Sequence, residues 1–210
     1  MQSSHTVAGI DVGGTKKGSH LVIMRGHDIV HVSSSTDAGQ LHRQRMDFDV
    51  TAVGIDAPSQ WAVEGAGRAA ERELARERIS CFSTPTEARV IANTSGFYEW
   101  MFNGARVYHA FATSHPVLKT AHDGVRVCFE TFPHAITCAY LARDVVSAKL
   151  KLVQRRKLLE DIGIDISGLK SIDHVDAALC AHTARLLVEG KTRAYGDAQG
   201  GLIFVPDPRA

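Results

Sequence analysis

The sequence predicts an α/β fold in which helices cover a mixed β-sheet. Three observations lead to this prediction: three strand-like segments joined by short turns open the chain, two later buried strands are each followed by helical segments, and the second half is mainly helical. Strands joined by hairpins pair antiparallel, whereas strands separated by helical crossovers pair parallel, so both kinds together give a mixed sheet. Such sheets bind ligands at the carboxyl ends of their strands.

Seven segments have the apolar, β-branched character of strands and are bounded by turn residues. The first three are joined by Gly13-Gly14 and by the hairpin turn Arg25-Gly26-His27, and Pro58 follows the fourth. The predicted strands are Thr6–Val12, Ser19–Met24, Asp28–Ser33, Val50–Asp56, Val125–Thr131, Thr192–Tyr195 and Leu202–Val205.

The helical segments share apolar periodicity or a composition rich in Ala, Glu, Arg and Leu. Thr84 or Thr86 is expected to cap a further helix in the segment TPTE. The predicted helices are Asp37–Met46, Gly67–Arg78, Tyr98–Ala112, His134–Leu141, Lys149–Ile162 and Ser171–Glu189. Helices from about Pro58 to Asp123 form an insertion between the fourth and fifth strands, within a single domain over residues 1–210.

Composition and charge exclude several classes of protein. The 210 residues are 44% hydrophobic and 22% charged, which is ordinary for a globular domain. The net charge of +1 excludes a basic field over the whole chain, so contact with nucleic acid requires a local patch. No segment approaches the roughly 18 apolar residues of a membrane helix, and the start lacks a secretory signal. The four widely spaced cysteines indicate buried thiols in a reducing compartment, so we expect a cytoplasmic location without membrane contact.

Acidic residues end three of the predicted strands. They are Asp11 in AGIDVGG, Asp56 in VGIDAPS and Glu130 in VCFETFP. An unpaired charge within an apolar run costs several kcal/mol, so each needs a cation, a hydrogen-bond network or a function. Asp11 and Asp56 could also organise only the turns that follow them.

A further acidic pair begins the last long helix. Asp173 and Asp176 are three residues apart and share one helix face, although Asp173 could serve only as an N-cap and Asp176 as a partner of the helix dipole. Clustered carboxylates bind hard divalent cations, and Mg²⁺ retains water molecules that can attack a phosphate. The pattern therefore predicts a site for Mg²⁺ or Mn²⁺.

Several motifs together resemble a known family. In order along the chain they are GID, IDAP, GRAAERELARER, FSTP, VCFETFP, a basic helix led by Lys149 with Arg156, DHVDAALCAHTA and GGLIFVP. This order is similar to that of domain-of-unknown-function family 429, whose members are predicted nucleases with a ribonuclease H-like fold. The resemblance extends over nearly the whole chain.

The resemblance implies metal-dependent hydrolysis of phosphodiester bonds. It implies that Asp11, Glu130 and Asp176 hold the metal, with Asp56 and Asp173 close by. One ion would lie between Asp11 and Glu130, and Asp176 would complete a second site with Asp173 or Asp56. Arg68 and Lys149 would bind substrate phosphate or orient the acids, and Arg156 and Lys16 are further expected substrate-binding residues. The expected partner is a nucleic acid or nucleotide.

Two other functions remain open from the sequence. GIDVGGTKKG also resembles the first phosphate loop of sugar kinases and actin-like ATPases, so the chain could be a small nucleotide-binding phosphotransferase that uses Asp11, Gly13, Gly14 and Thr15. Such kinases need two domains of this kind, and no second DxGGT-like loop follows. The third function is a non-catalytic domain in which the acids are structural.

A basic stretch lies between Arg143 and Lys157 and contains six basic residues. On a helix it could follow the phosphates of a nucleic acid, or it could be a solvated helix face. No aromatic residues interleave with it, so the sequence alone gives no support for base stacking there.

Overall fold

The computed structural model describes residues 5–65, 67–120 and 126–210. Seven of its strands form one sheet in the order β3-β2-β1-β4-β5-β7-β6. Their bounds are β1 Thr6–Val12, β2 Ser19–Arg25, β3 Asp28–Ser35, β4 Ala52–Asp56, β5 Val127–Glu130, β6 Thr192–Asp197 and β7 Gly201–Pro206.

The helices connect and cover these strands. Thr86 caps the short α3 by accepting a hydrogen bond from the Arg89 amide, so Thr86 rather than Thr84 is the cap. A single 3₁₀ turn, Ala148–Leu150, leads into α6. The helix bounds are α1 Ala38–Met46, α2 Ala69–Arg76, α3 Glu87–Ile91, α4 Glu99–Phe111, α5 Pro133–Tyr140, α6 Lys151–Asp161 and α7 Ile172–Val188.

The pairing of the strands defines the fold class. β2 pairs antiparallel with both β1 and β3, whereas β1, β4, β5 and β7 pair parallel to one another. The order 3-2-1-4-5 with an antiparallel second strand is the arrangement of ribonuclease H-like folds, and the β6–β7 hairpin extends it at one edge. The predicted mixed α/β sheet flanked by helices is confirmed, and its strand order agrees with the predicted ribonuclease H-like type.

Most differences from the predicted boundaries are at the ends of elements. β4 begins at Ala52 rather than Val50, because its ladder with β1 starts with the pair Val7 and Ala52. β5 ends at Glu130, and residue 125 of the predicted strand lies outside the described residues. The last two strands are longer than predicted because they pair with each other along six positions. Helices α2, α3 and α4 lie between β4 and β5, where the insertion was predicted.

Both faces of the sheet are covered. Val7 and Val22 face a buried cluster with α6 and α7, whereas Ala8 and Ile10 face α1 and α4 on the other side. A strand buried on both faces needs no alternation of apolar and polar residues, which explains the continuous apolar runs in the sequence. None of the described helices is long and apolar enough to cross a membrane.

Two glycines allow α7 to lie directly on the sheet. Gly9 of β1 and Gly54 of β4 are neighbours in the parallel register. A Cβ atom on Gly9 would lie 2.0 Å from the Ala177 carbonyl oxygen, and one on Gly54 would lie 2.5 Å from the Cys180 carbonyl oxygen. Any larger residue would therefore displace the helix, and with it the acidic residues at its first turns.

Candidate metal centre

Asp11 and Asp56 lie side by side where β1 and β4 end. They are partners in the parallel register, and their carboxyl groups share a hydrogen bond. Burial, followed by the charges of Asp176 and Asp173, raises the pKa of Asp11 to about 7. Burial and the charge of Asp11 raise the pKa of Asp56 well above its usual range. The pair therefore resists carrying two negative charges unless a cation is close.

Helix α7 brings a second pair of acids to the same edge. Ser171, and not Asp173, caps the helix by accepting a hydrogen bond from the His174 amide. Asp173 is therefore free to accept a hydrogen bond from Lys17 Nζ at 2.6 Å. The Asp176 oxygens accept hydrogen bonds of 2.7 and 2.6 Å from Arg155 Nη1. Asp11, Asp56, Asp173 and Asp176 are hereafter called the acid cluster.

His20 joins the acid cluster from β2. It is the antiparallel partner of Asp11, and it is buried. Its Nδ1 lies 3.9 Å from Asp11 Oδ2, and its Nε2 lies 4.0 Å from Asp173 Oδ2. No hydrogen-bond partner reaches Nδ1 from the residues that the structure describes. Burial lowers the pKa of His20, which keeps the imidazole neutral at neutral pH.

These residues fit a divalent metal ion by their donor atoms and their charge. One ligand atom each from Asp11, His20 and Asp173 lie within 4.8 Å of one another. Within the described chain, only Lys17 and Arg155 form ion pairs with the four acids of the cluster. Carboxylate oxygens suit Mg²⁺ and Mn²⁺, and a neutral imidazole nitrogen favours the softer of the two ions. A divalent cation would balance the excess negative charge and partner the buried His20 nitrogen.

Glu130 has different partners from the acid cluster. Arg68 donates from Nη1 to Oε2 at 2.7 Å and from Nη2 to Oε1 at 2.5 Å. Ser59 adds hydrogen bonds to Oε2 from its amide at 2.7 Å and from its hydroxyl at 3.0 Å. Arg68 also donates from Nε to Glu71 Oε1 at 2.8 Å. The set Arg68, Glu71 and Glu130 is hereafter called the Arg68 network.

This geometry gives Glu130 an arginine partner where the resemblance implies a metal ion shared with Asp11, and that implied role stays a prediction. Glu130 ends β5, one strand beyond Asp56, and both of its oxygens already accept hydrogen bonds from a buried guanidinium group. In the described part of the chain, Glu130 is not among the acids that could ligate an ion together with Asp11. Strand order placed Glu130 at the correct edge, and its partner there is the Arg68 guanidinium group.

A comparison with protein families decides where the chain belongs. The family described as "Protein of unknown function (DUF429)" matches residues 9–200. The chain belongs to this family. The match includes every residue of the acid cluster and of the Arg68 network.

The comparisons of this DUF429 chain with curated proteins and with solved structures find only weak similarity. No curated protein matches it significantly. Among solved structures it is similar to RuvC of T. thermophilus in complex with a Holliday junction substrate. The two sequences are 17% identical, the similarity covers 89% of this chain and 96% of that one, and the TM-score is 0.43.

The four predicted substrate-binding residues of the DUF429 chain lie in different surroundings. Arg68 is only 3% exposed and holds Glu71 and Glu130, so it orients acids and is not available to a phosphate. Arg156 is half-buried and donates to the Leu169 carbonyl oxygen at 3.1 Å. Lys149 is exposed in the 3₁₀ turn before α6, and Lys16 is exposed between β1 and β2. The roles of Lys149 and Lys16 stay predictions.

Four residues at or near the candidate site are not predicted from the sequence. The only signal for His20 was a polar side chain in an apolar strand. Lys16 is the predicted substrate-binding residue, whereas its neighbour Lys17 is the one that contacts Asp173. Arg155 and Lys151 were counted only as members of a basic stretch. Arg155 is buried against Asp176 of the acid cluster, and Lys151 lies one helical turn before Arg155 on α6.

Proposed function

We propose that the chain is a divalent-metal-dependent nuclease that hydrolyses phosphodiester bonds at the acid cluster. The strongest support is that four carboxylates from β1, β4 and α7 converge at one edge of the sheet. In the described chain, only Lys17 and Arg155 are basic side chains that form ion pairs with them, so negative charge remains in excess. Structural acids satisfy their charge with arginine or lysine, as Glu130 does. Acids that remain uncompensated are suited to a metal ion and an anionic substrate.

Each residue of the site would have a specific role. Asp11 and Asp173 would hold the metal with His20 as a nitrogen ligand, and Asp56 would orient Asp11 through their shared hydrogen bond. Arg155 would fix the orientation of the Asp176 carboxylate, and Lys17 that of Asp173. A bound divalent ion would supply an activated water and stabilise the leaving oxygen of the phosphodiester.

The nucleotide-binding alternative has weaker support. In the loop after β1, the amides of Lys17 and Gly18 donate to the Gly14 carbonyl oxygen, and the Gly13 amide donates to the Gly18 carbonyl oxygen. Asn103 Nδ2 donates a hydrogen bond to the Gly13 carbonyl oxygen at 2.9 Å. These groups close a hairpin turn and are not directed at a phosphate. The phosphotransferase hypothesis stays a prediction that saturable ATP binding would support.

The test is metal-dependent stabilisation and cleavage of the same protein samples. Mg²⁺ or Mn²⁺ at about a hundred times its dissociation constant should stabilise the wild-type fold by about 2.7 kcal/mol. Asp11→Asn should lose most of this stabilisation and should not cleave labelled single-stranded, double-stranded or hybrid nucleic acids. Asp47→Asn is the matched control, because Asp47 is an exposed acid at the end of α1, in the connection that leads to the opposite end of β4.

The outcomes separate the nuclease from a non-catalytic domain. Cleavage that requires metal and Asp11 supports the nuclease. A folded protein that neither binds metal nor cleaves any of these substrates contradicts it and favours a non-catalytic domain. Cleavage that persists in Asp11→Asn would assign the activity to a contaminant or to another site.

A further inference from the structure

A groove leads from the surface to the acid cluster. It has a volume of about 540 Å³ and lies between the segment of residues 80–82 and the helices α5 and α6. It shares Cys81, Phe82 and Phe132 with a smaller cavity of about 80 Å³, whose lining includes Asp56. The groove and the cavity therefore form a path that ends at a carboxylate of the acid cluster.

Phe82 and Trp100 line this path, and the rings of Phe97 and Tyr98 pack beside it. Phe82 is 40% exposed, and its ring centroid lies 5.5 Å from that of Trp100 and 6.3 Å from that of Tyr98. Phe97, which is 60% exposed, packs 5.0 Å from Tyr98 and 6.2 Å from Phe82. These four rings are hereafter called the aromatic platform. Two exposed phenylalanine rings that are supported by two further rings offer flat faces to a ligand.

The smaller cavity also contains unsatisfied polar groups. Thr84 and Thr131 line it and are almost completely buried. The hydroxyl oxygen of each has no hydrogen-bond partner among the residues that the structure describes. Buried polar atoms are normally satisfied, so these two hydroxyls favour a ligand with polar edges over a purely apolar one.

The groove also has a basic wall. Lys151, Arg155 and His134 line it. Lys151 is exposed and lies one helical turn before Arg155, whose guanidinium group binds the Asp176 carboxylate. The basic stretch has no aromatic residues within its own sequence, but Phe82 and Phe132 line the same groove as Lys151 and Arg155. Basic and aromatic side chains therefore come together in the groove from three segments: residues 80–82, the start of α5 with Phe132, and α6.

We propose that this groove binds a single strand of nucleic acid, with its phosphates along Lys151 and an unpaired base on the aromatic platform. This inference rests on the proposed nuclease function and names its substrate class. Bases stack on aromatic side chains whatever their sequence, whereas the bases of a duplex are already stacked on one another. A net charge of +1 gives no general attraction for duplex DNA, so a local basic wall must supply the phosphate contacts.

The test measures binding in EDTA, where metal-dependent cleavage cannot occur. Fluorescence anisotropy is recorded with labelled single strands of DNA and of RNA and with the matched duplexes. The single strands should bind at least about tenfold more tightly than the duplexes, and Phe82→Ala should weaken single-strand binding about fivefold or more. Phe97→Ala gives a second, more exposed site for the same measurement. Met46→Ala, which removes an exposed apolar side chain from α1, should change nothing.

A salt titration tests the basic wall separately. Lys151→Gln should reduce the slope of log K against log salt by about 0.7 for single strands, as expected for the loss of one phosphate contact. Lys119→Gln is the control, because Lys119 is an exposed lysine that precedes β5. An unchanged slope in Lys151→Gln would remove the basic wall from the proposal.

The results distinguish this inference from the nuclease function on which it rests. Equal affinity for single strands and duplexes, or full affinity in both phenylalanine variants, overturns the single-strand groove even if Asp11-dependent cleavage is observed. Single-strand binding that depends on Phe82, with no metal-dependent cleavage, supports the groove and contradicts the nuclease. A preference for RNA or DNA among the single strands would identify the natural substrate.

Discussion

The acid cluster and the Arg68 network lie at the same edge of the sheet but balance their charge differently. In the Arg68 network, one guanidinium group donates to two glutamates, and Ser59 and the Thr84 amide complete the hydrogen bonds. In the acid cluster of the described chain, Asp11 and Asp56 share a hydrogen bond with each other and form no ion pair with lysine or arginine.

The difference shows that a position at the end of a strand does not by itself make an acid functional. The resemblance implied that Asp11 of the acid cluster and Glu130 of the Arg68 network both hold metal, and both acids lie at the ends of buried strands. A buried acid with a bidentate arginine is already stabilised and gains little from a metal ion. A buried pair of acids without such a partner has a raised pKa and gains much more.

The largest expected effect comes from opening the Arg68 network. Arg68→Met leaves Glu71 and Glu130 buried without their cation, which should cost about 3–5 kcal/mol of the free energy of unfolding. Urea denaturation measures this cost. The control is Arg126→Met, because the ion pair of Arg126 with Asp49 is exposed and should contribute less than about 1 kcal/mol. Similar losses in both variants would contradict a structural role for the network.

An intermediate effect should come from the contact between α7 and the sheet. Gly9→Ala places a Cβ atom against the Ala177 carbonyl oxygen, which should cost about 1–3 kcal/mol and shift Asp173 and Asp176 away from Asp11. In a thermal-shift assay, the rise in melting temperature on adding metal should be smaller for Gly9→Ala than for wild type, in addition to the lower melting temperature of the metal-free variant. Gly168→Ala serves as control, since a Cβ atom there meets no neighbour within 4 Å. Unchanged metal binding in Gly9→Ala would show that α7 does not position the site.

The smallest expected effect is a gain in stability, from Asp11→Asn in the absence of metal. The folded pKa of Asp11, about 7, lies above its ordinary value of 3.8, so the folded state binds more protons between these values. Without metal, stability should therefore fall as the pH rises through this interval, and Asp11→Asn, which cannot ionise, should be more stable than wild type near pH 8. Thermal unfolding in EDTA from about pH 4 to pH 8 measures this difference.

Glu130→Gln is the matched comparison for that last measurement. It removes the charge that Arg68 needs, so it should destabilise the protein at neutral pH where Asp11→Asn stabilises it. If both variants shift stability in the same direction, the distinction between the acid cluster and the Arg68 network is wrong.

The sequence predicted most of the fold because its signals are local. The span of β1 is as predicted, and most other strands and helices differ by one to three residues at their ends. Turn residues, helix caps and apolar runs act over a few neighbouring positions, so a single sequence contains them. The strand-end acids were also visible, since a charge in an apolar run is conspicuous wherever the chain later places it.

Ion-pair partners that are far apart in sequence could not be predicted in the same way. Arg155 is 21 residues from Asp176, and Arg68 is 62 residues from Glu130. No local pattern indicates which of the chain's basic residues reaches which acid. The aromatic platform is a similar case, because the segment that contains Phe82 meets the basic wall of α6 only after folding.

The sequence alone determined the order of the strands along the chain, the helices between them and the acids at the strand ends, because these depend on side-chain chemistry and short-range periodicity. Only the tertiary structure decided which acids have a cation and which do not. Charge compensation depends on distances of a few ångströms between residues far apart in sequence. Those distances are set by the packing of α7 on Gly9 and Gly54 and by the burial of Arg68 against Glu130 and the Gly200 carbonyl oxygen.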